Sequence, residues 1–244
     1  MSEPMHTPPP PPAGGPPAGG PPYGPTSDSS LPWENRSQVG FMPALIDSVK
    51  LFVTSPREAY ARAQEKGDFV SPLLYAVIIG TVAGIVGQIW GLLFQGSWMA
   101  MMPAEYQDMM GPMMAGGGAS IILTIVFMPF YIAAFMFVWA GIVHLILMLL
   151  KAVDANVGFE GTFRGVAYSQ TASLAQIVPL VGGLIAMVWT IFLSIIGIAR
   201  MHKTTEGKAA AGVLIPIGLC CACIIIAFIL GGAALMSAIG QAGG

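Results

Sequence analysis

The stretch VAYSQTASLAQIVPLVGGLIAMVWTIFLSIIGIAR, Val166 to Arg200, decides how many times this chain crosses a membrane. A helical span needs about 20 apolar residues at ~1.5 Å rise each. About 35 residues are therefore too many for one straight crossing and few for two with a loop. Pro179 and Gly182-Gly183 fall near the middle, where a tight turn would fold the stretch into a helical hairpin. Charge separates the two readings. With two crossings here, all ten Lys and Arg residues fall on one set of alternating segments. They are Arg36, Lys50, Arg57, Arg62 and Lys66 before the first span, Lys151 and Arg164 in a middle loop, and Arg200, Lys203 and Lys208 in a late loop. With one crossing, the last three would change sides. Cytoplasmic loops keep Lys and Arg near span ends, whereas translocated loops are depleted of them. The hairpin, an inside N-terminus and an outside C-terminus thus follow together.

The expected fold class is an all-α polytopic membrane bundle of five transmembrane helices with a cytoplasmic N-terminus. Spans are expected at about 73–95, 119–150, 166–179, 182–200 and 209–236, in a membrane domain of residues 69–236 followed by a tail, 237–244. Composition agrees. Charged residues are 9% of the chain and hydrophobic residues 55%, against roughly 25% charged in a soluble domain, and the mean hydropathy is +0.73. A net charge of -2 with scattered cations offers no surface for nucleic acid. The first seventy or so residues lack the charged start and apolar core of a signal peptide, so the first span is expected to direct insertion.

Residues 1–40 read as a disordered cytoplasmic arm. Twelve prolines up to Trp33 and a Pro-Pro-Ala-Gly-Gly repeat leave little to bury, and such a tail serves as a linker or docks a Pro-binding module. Residues 41–68 turn amphipathic. Pro43 suits the start of a helix carrying Leu45, Val49 and Phe52 on one face. In Ser55-Pro56-Arg57-Glu58, Ser55 would cap a second helix and Glu58 reach back to it. Both helices are expected against the inner membrane surface or the underside of the bundle.

Within the spans the candidates are few. Gly80, Gly84, Gly87 and Gly91 recur at helical spacing, which lets another helix approach closely, within the chain or in a homo-oligomer. Tyr168, Ser169, Gln170, Thr171, Ser173 and Gln176 load the third span with polar groups that need partners in hydrocarbon. With His144, the one histidine well inside a span, they form a candidate intramembrane polar site, although helix-to-helix hydrogen bonding also accounts for them. Cys220, Cys221 and Cys223 lack the further ligands of a closed metal site and read as small apolar packing. Met99, Met101, Met102, Met109, Met110, Met113 and Met114 crowd one external loop; thioethers favour Cu(I), but methionine is also a flexible apolar filler. Trp98 and Tyr106 in that loop read as interfacial anchors. No catalytic constellation and no cofactor motif is present: G-x-S-x-G, H-E-x-x-H and a phosphate loop are all missing.

Ser55-Pro56-Arg57-Glu58, Ser71-Pro72-Leu73-Leu74-Tyr75 and Gly161-Thr162-Phe163-Arg164-Gly165-Val166-Ala167-Tyr168-Ser169 follow one another in an order of elements that resembles the prokaryotic branch of the Yip (Ypt-interacting protein) membrane family. Trp189 leading to Gly197-Ile198-Ala199-Arg200-Met201-His202-Lys203-Thr204-Thr205-Glu206-Gly207-Lys208-Ala209 completes the resemblance, over roughly Phe41 to Leu235. It implies a five-span bundle with a cytoplasmic N-terminus, a bacterial inner membrane and, in eukaryotic relatives, association with Rab-type GTPases. This chain departs from the pattern in running from Tyr168 to Pro179 without a proline, and no stretch matches a GTPase-binding motif. The expected function is a non-enzymatic scaffold or membrane-organising protein with lipid and an unidentified protein as partners. The alternative is a small-solute or copper transporter or channel using the polar third span or the Met-rich loop.

Overall fold

The computed structural model describes residues 30–104, 106–107 and 117–242, with side-chain surroundings described for 30–104, 106–107 and 121–231. Every regular element among them is helical. A 3-10 turn, Pro32–Asn35, leads into α1 (Arg36–Val39), α2 (Phe41–Thr54) and α3 (Pro56–Arg62). There follow α4 (Val70–Met101), α5 (Gly117–Leu149), α6 (Gly158–Ser169), a 3-10 segment (Gln170–Ile177), α7 (Gly182–Met201) and α8 (Glu206–Ala242). Four helices, α4, α5, α7 and α8, are long and apolar enough to cross a bilayer. Their outer faces expose large apolar side chains such as Leu93, Phe130, Tyr131, Leu149 and Phe228, which suits lipid and not water.

The third expected span departs from that description. In place of one apolar helix over 166–179, α6 starts earlier, buries Arg164, and passes into an eight-residue 3-10 run. Ser and Thr hydroxyls explain part of this: Ser169, Thr171 and Ser173 each donate to the carbonyl three residues back, at 2.7, 2.9 and 2.7 Å. The segment nevertheless folds back on α7. Thr162 meets His202, Ser169 Oγ accepts from Ser194 Oγ at 2.9 Å, and Gly182 lies against the backbone of Ala175 and Gln176, where any Cβ would collide. The turn between them places Leu180 in the left-handed region, φ 65°.

Gly165 and Gly197 set the closest approach in this hairpin. A Cβ on Gly165 would lie 3.0 Å from the Ile198 nitrogen, and one on Gly197 would lie 2.6 Å from the Tyr60 ring. Tyr60 is thereby wedged beneath the crossing, its hydroxyl donating to the Gly165 carbonyl at 2.9 Å. Tyr60 belongs to an aromatic core with Trp33, Phe52, Tyr75 and Tyr168. The Phe52 and Tyr168 rings stack at 5.4 Å, and Trp33 meets Tyr75 edge-on at 5.6 Å. The amphipathic helices α2 and α3 therefore pack on the underside of the bundle.

Several local expectations change. The arm is not featureless to residue 40: Leu31 and Trp33 are fully buried, because the Leu31 amide donates to the Arg62 carbonyl and Trp33 Nε1 to the Ser71 carbonyl. Ser55 makes no side-chain cap, and Glu58 pairs with Arg62 instead of reaching back to it. Cys220, Cys221 and Cys223 are exposed on the outside of α8 and pack against nothing in the bundle interior.

Ion pairs join the first and last cation groups at one end. Arg57 pairs with Glu206, and Glu65 binds both Arg200 at 3.1 Å and Lys203 at 2.8 Å, which holds its carboxyl below the usual range. Exposed pairs of this kind add little stability. Their importance is positional, since they join the segment before α4, the end of α7 and the start of α8 into one basic end.

Candidate functional site

Arg164 is the centre of that end. It is held on α6 with Glu160 and Tyr168 one turn to either side, and its side chain is 1% exposed. Each guanidinium nitrogen has a partner: Nε donates to Glu160 at 2.9 Å, Nη1 to Glu34 at 2.8 Å and Nη2 to the Asp68 carbonyl at 2.8 Å. Glu34 also accepts from the Tyr168 hydroxyl at 2.7 Å and from the Gln64 amide at 2.8 Å. Burial pushes the Glu34 carboxyl above its ordinary range, against the opposing pull of Tyr168, Gln64 and Arg164. A buried cation is tolerated only when paired and fully hydrogen-bonded, and here the pairing group comes from the root of the N-terminal arm. Arg36 adds a second tie, donating to Ser71 Oγ at 2.7 Å while its guanidinium lies 4.9 Å from the Trp33 ring centre.

Beside this network, His144 of α5, Thr162 of α6 and His202 after α7 form a hydrogen-bonded row. The Asp154 amide donates to His202 Nδ1 at 3.2 Å, so the neutral ring carries its proton on Nε2 and donates to Thr162 Oγ1 at 2.7 Å. The Thr162 hydroxyl is then free to donate to His144 Nδ1 at 2.8 Å. Burial first, and the neighbouring His144 second, lower the His202 pKa to about 4. Two neutral imidazoles bridged by a hydroxyl pin three helices together. Among the described residues, no group of three or more His, Cys, Asp or Glu is arranged to hold a metal ion.

The polar residues expected to share one site are divided among several. Tyr168 serves the Arg164 network, Thr171 bonds the Tyr75 hydroxyl at 2.7 Å, and Ser169 bonds Ser194. His144 belongs to the histidine row. Ser169, Gln170, Ser173 and Gln176 nevertheless share the wall of one cavity between α5, the 3-10 segment, α7 and α8. Of the glycine stripe, Gly80 and Gly84 lie against Ile132 and Met128 of α5, Gly87 lies against Gln176, and Gly91 faces open space. Met101 and Trp98 are exposed at the far end of α4, and Met99 and Met102 belong to the same end; Met109, Met110, Met113 and Met114 lie outside the described residues. Sequence reasoning missed Trp33, Glu34, Thr162 and His202, and took Arg164 for a loop cation. The spacing of Glu160, Arg164 and Tyr168 at four-residue intervals was the available signal, since it stacks them on one helix stripe.

Four long apolar helices, a polar helical hairpin arm and outward-facing apolar surface define a multi-pass α-helical membrane protein. The chain belongs to the Yip1 family, whose model, the Yip1 domain, matches residues 49–238. The match begins within α2, so Trp33 and Glu34 lie outside it. Searches of curated proteins and of solved structures gave no match.

Proposed function

We propose that this chain is a non-enzymatic membrane-organising protein of a bacterial inner membrane, which holds a protein partner at its basic cytoplasmic end through the N-terminal arm. The observation that carries this reading is the fully buried Glu34–Arg164 pair. It fastens the root of a Pro-rich arm to the bundle, so a partner bound by the arm is held against one fixed surface. A tail serving only as a solvated spacer needs no buried anchor. Yip family members interact with proteins, which agrees with this role. Five crossings with an internal N-terminus accompany it. The 20 residues of α7 span about 30 Å, and from Gly165 onward α6 with its 3-10 extension runs about 23 Å alongside in the opposite direction. Gathering of the cations at one end supports the sidedness.

Photocrosslinking and pull-down from native membranes test the partner role. The intact chain is expected to recover a protein partner, and Trp33→Ala, which loosens the root of the arm, to lower recovery several-fold. Equal recovery would remove the arm from the function. A reporter fused after Lys203 is expected inside and one after Gly244 outside; an external reading at Lys203 would mean four crossings.

A further inference from the structure

We infer that the cavity between α5, the 3-10 segment, α7 and α8 is a binding site for an uncharged membrane amphiphile, one whose hydroxyl or ester group meets the Gln170 amide and the Thr190 hydroxyl. The cavity has a volume of about 450 Å³ and lies at the middle of the bundle, from Val166, Ser194 and Val213 at one end to Gln176 and Gly183 at the other. Its two walls differ. The 3-10 segment and α7 present Gln170, Gln176 and Thr190, whereas α5 and α8 present apolar groups including Trp139 and Val213. Ser169, Ser173 and Ser194 on that wall hydrogen-bond within the protein, whereas Gln170 and Thr190 line the cavity with no protein partner among the described residues; Gln176 lines it too, with its amide oxygen turned against Gly87 of α4.

An amide without a partner in hydrocarbon costs several kcal/mol, so this wall calls for an occupant that hydrogen-bonds. One polar wall against one apolar wall suits an amphiphile better than a column of water, which would be left unpaired along α5 and α8. No Lys, Arg, His, Asp or Glu lines the cavity. A phosphate or carboxylate would therefore bring an uncompensated charge into the bilayer, and the occupant is neutral. Phe135, Gly183 and Met187 on its rim are exposed on the outer surface, so a lipid reaches the cavity sideways from the bilayer.

The test is photolabelling of the full-length protein in nanodiscs with a monoacylglycerol carrying a diazirine in its acyl chain. Adducts are expected on the α5 and α7 peptides that contain Trp139 and Met187, competed by unlabelled monoacylglycerol. The same chain presented as a free fatty acid or as phosphatidylglycerol should label these peptides far less. Gln170→Leu is expected to lower labelling about tenfold, the loss of one well-formed polar contact, and Ala186→Phe, which fills the cavity, to abolish it. Thermal unfolding of each variant verifies the fold, and Thr190→Val provides the polar-wall test if Gln170→Leu does not fold. Labelling that persists in the folded variants, equal labelling by the charged probes, or no labelling of the cavity peptides, as a water-filled cavity would give, overturns the assignment.

Discussion

Lysine occupies the left-handed position that closes both α5 and α7. Lys151 (φ 48°) and Lys203 (φ 50°) each sit one residue past the helix cap, and the next amides, of Ala152 and Thr204, reach back to Leu147 and Ala199 at 2.9 and 3.0 Å. Glycine is the usual residue there, since a side chain costs about 1 kcal/mol or more in that conformation. The charge offers a return: it sits at the negative end of a helix and marks the side of the membrane on which the helix must stop. Lys151→Gly should therefore raise stability by about 1 kcal/mol, read from thermal unfolding in detergent. His202 gives a second expectation. Its pKa is lowered from 6.5 to about 4 by burial, so the unfolded chain binds the extra proton across that window. Stability from this residue is complete above pH 6.5 and declines as pH falls toward 4, by on the order of 3 kcal/mol. Glu34, whose carboxyl is raised, acts with the opposite sign above its ordinary range. Comparison of the wild type with His202→Gln separates the two, because the acid loss should shrink in that variant; an unchanged pH profile would exclude His202 as its source.

Among the elements, the hairpin of α6, its 3-10 extension and α7 depends on backbone contact, whereas α4 depends on side chains of α5. Gly197→Ala places a methyl group against the Tyr60 ring and the Gly165 Cα, at 2.6 and 3.0 Å, and should cost about 1–3 kcal/mol through overpacking. Gly91→Ala meets nothing within 4 Å among the described residues and should leave the unfolding temperature unchanged. A shift in oligomeric state on size exclusion with Gly91→Ala would identify that end of the stripe as a contact between copies. The long helices were legible because apolar length is a local property, and the hairpin was legible because Pro179, Gly182 and the later cations constrain it jointly. The 3-10 geometry of 170–177 was not, since it rests on hydroxyls serving carbonyls three residues back, which helical periodicity does not register. Gly165 and Gly197 escaped notice for a related reason: they lie 32 positions apart and meet only after the turn is made.

The whole molecule is organised around a buried polar plug at its basic end. Removing one member is expected to be worse than removing two. Glu34→Ala leaves Arg164 Nη1 without a partner and strips partners from the Tyr168 hydroxyl and the Gln64 amide, for a loss of about 3–5 kcal/mol. The double variant Glu34→Leu with Arg164→Met should lose less, because the one carboxylate left without a cation, Glu160, still accepts from the Gly67 amide at 2.6 Å; denaturant unfolding of the single and double variants measures the difference. Equal losses would mean that the pair contributes by packing alone. This plug was the least legible part of the fold. Counting Arg164 as a solvated loop cation is wrong for its surroundings, since its side chain is 1% exposed, and the proline content of the arm masked Trp33 and Glu34 at its end.

Arg164 and Glu34 are 130 residues apart along the chain, and that separation orders events during synthesis. When Trp33 and Glu34 leave the ribosome, the groups that will enclose them have not been made. Two long helices must be threaded into the bilayer before Arg164 and Tyr168 arrive. The amino end, first to be made, is thus among the last parts to settle, and a chain interrupted before Gly158 would be left with an unclosed aromatic surface.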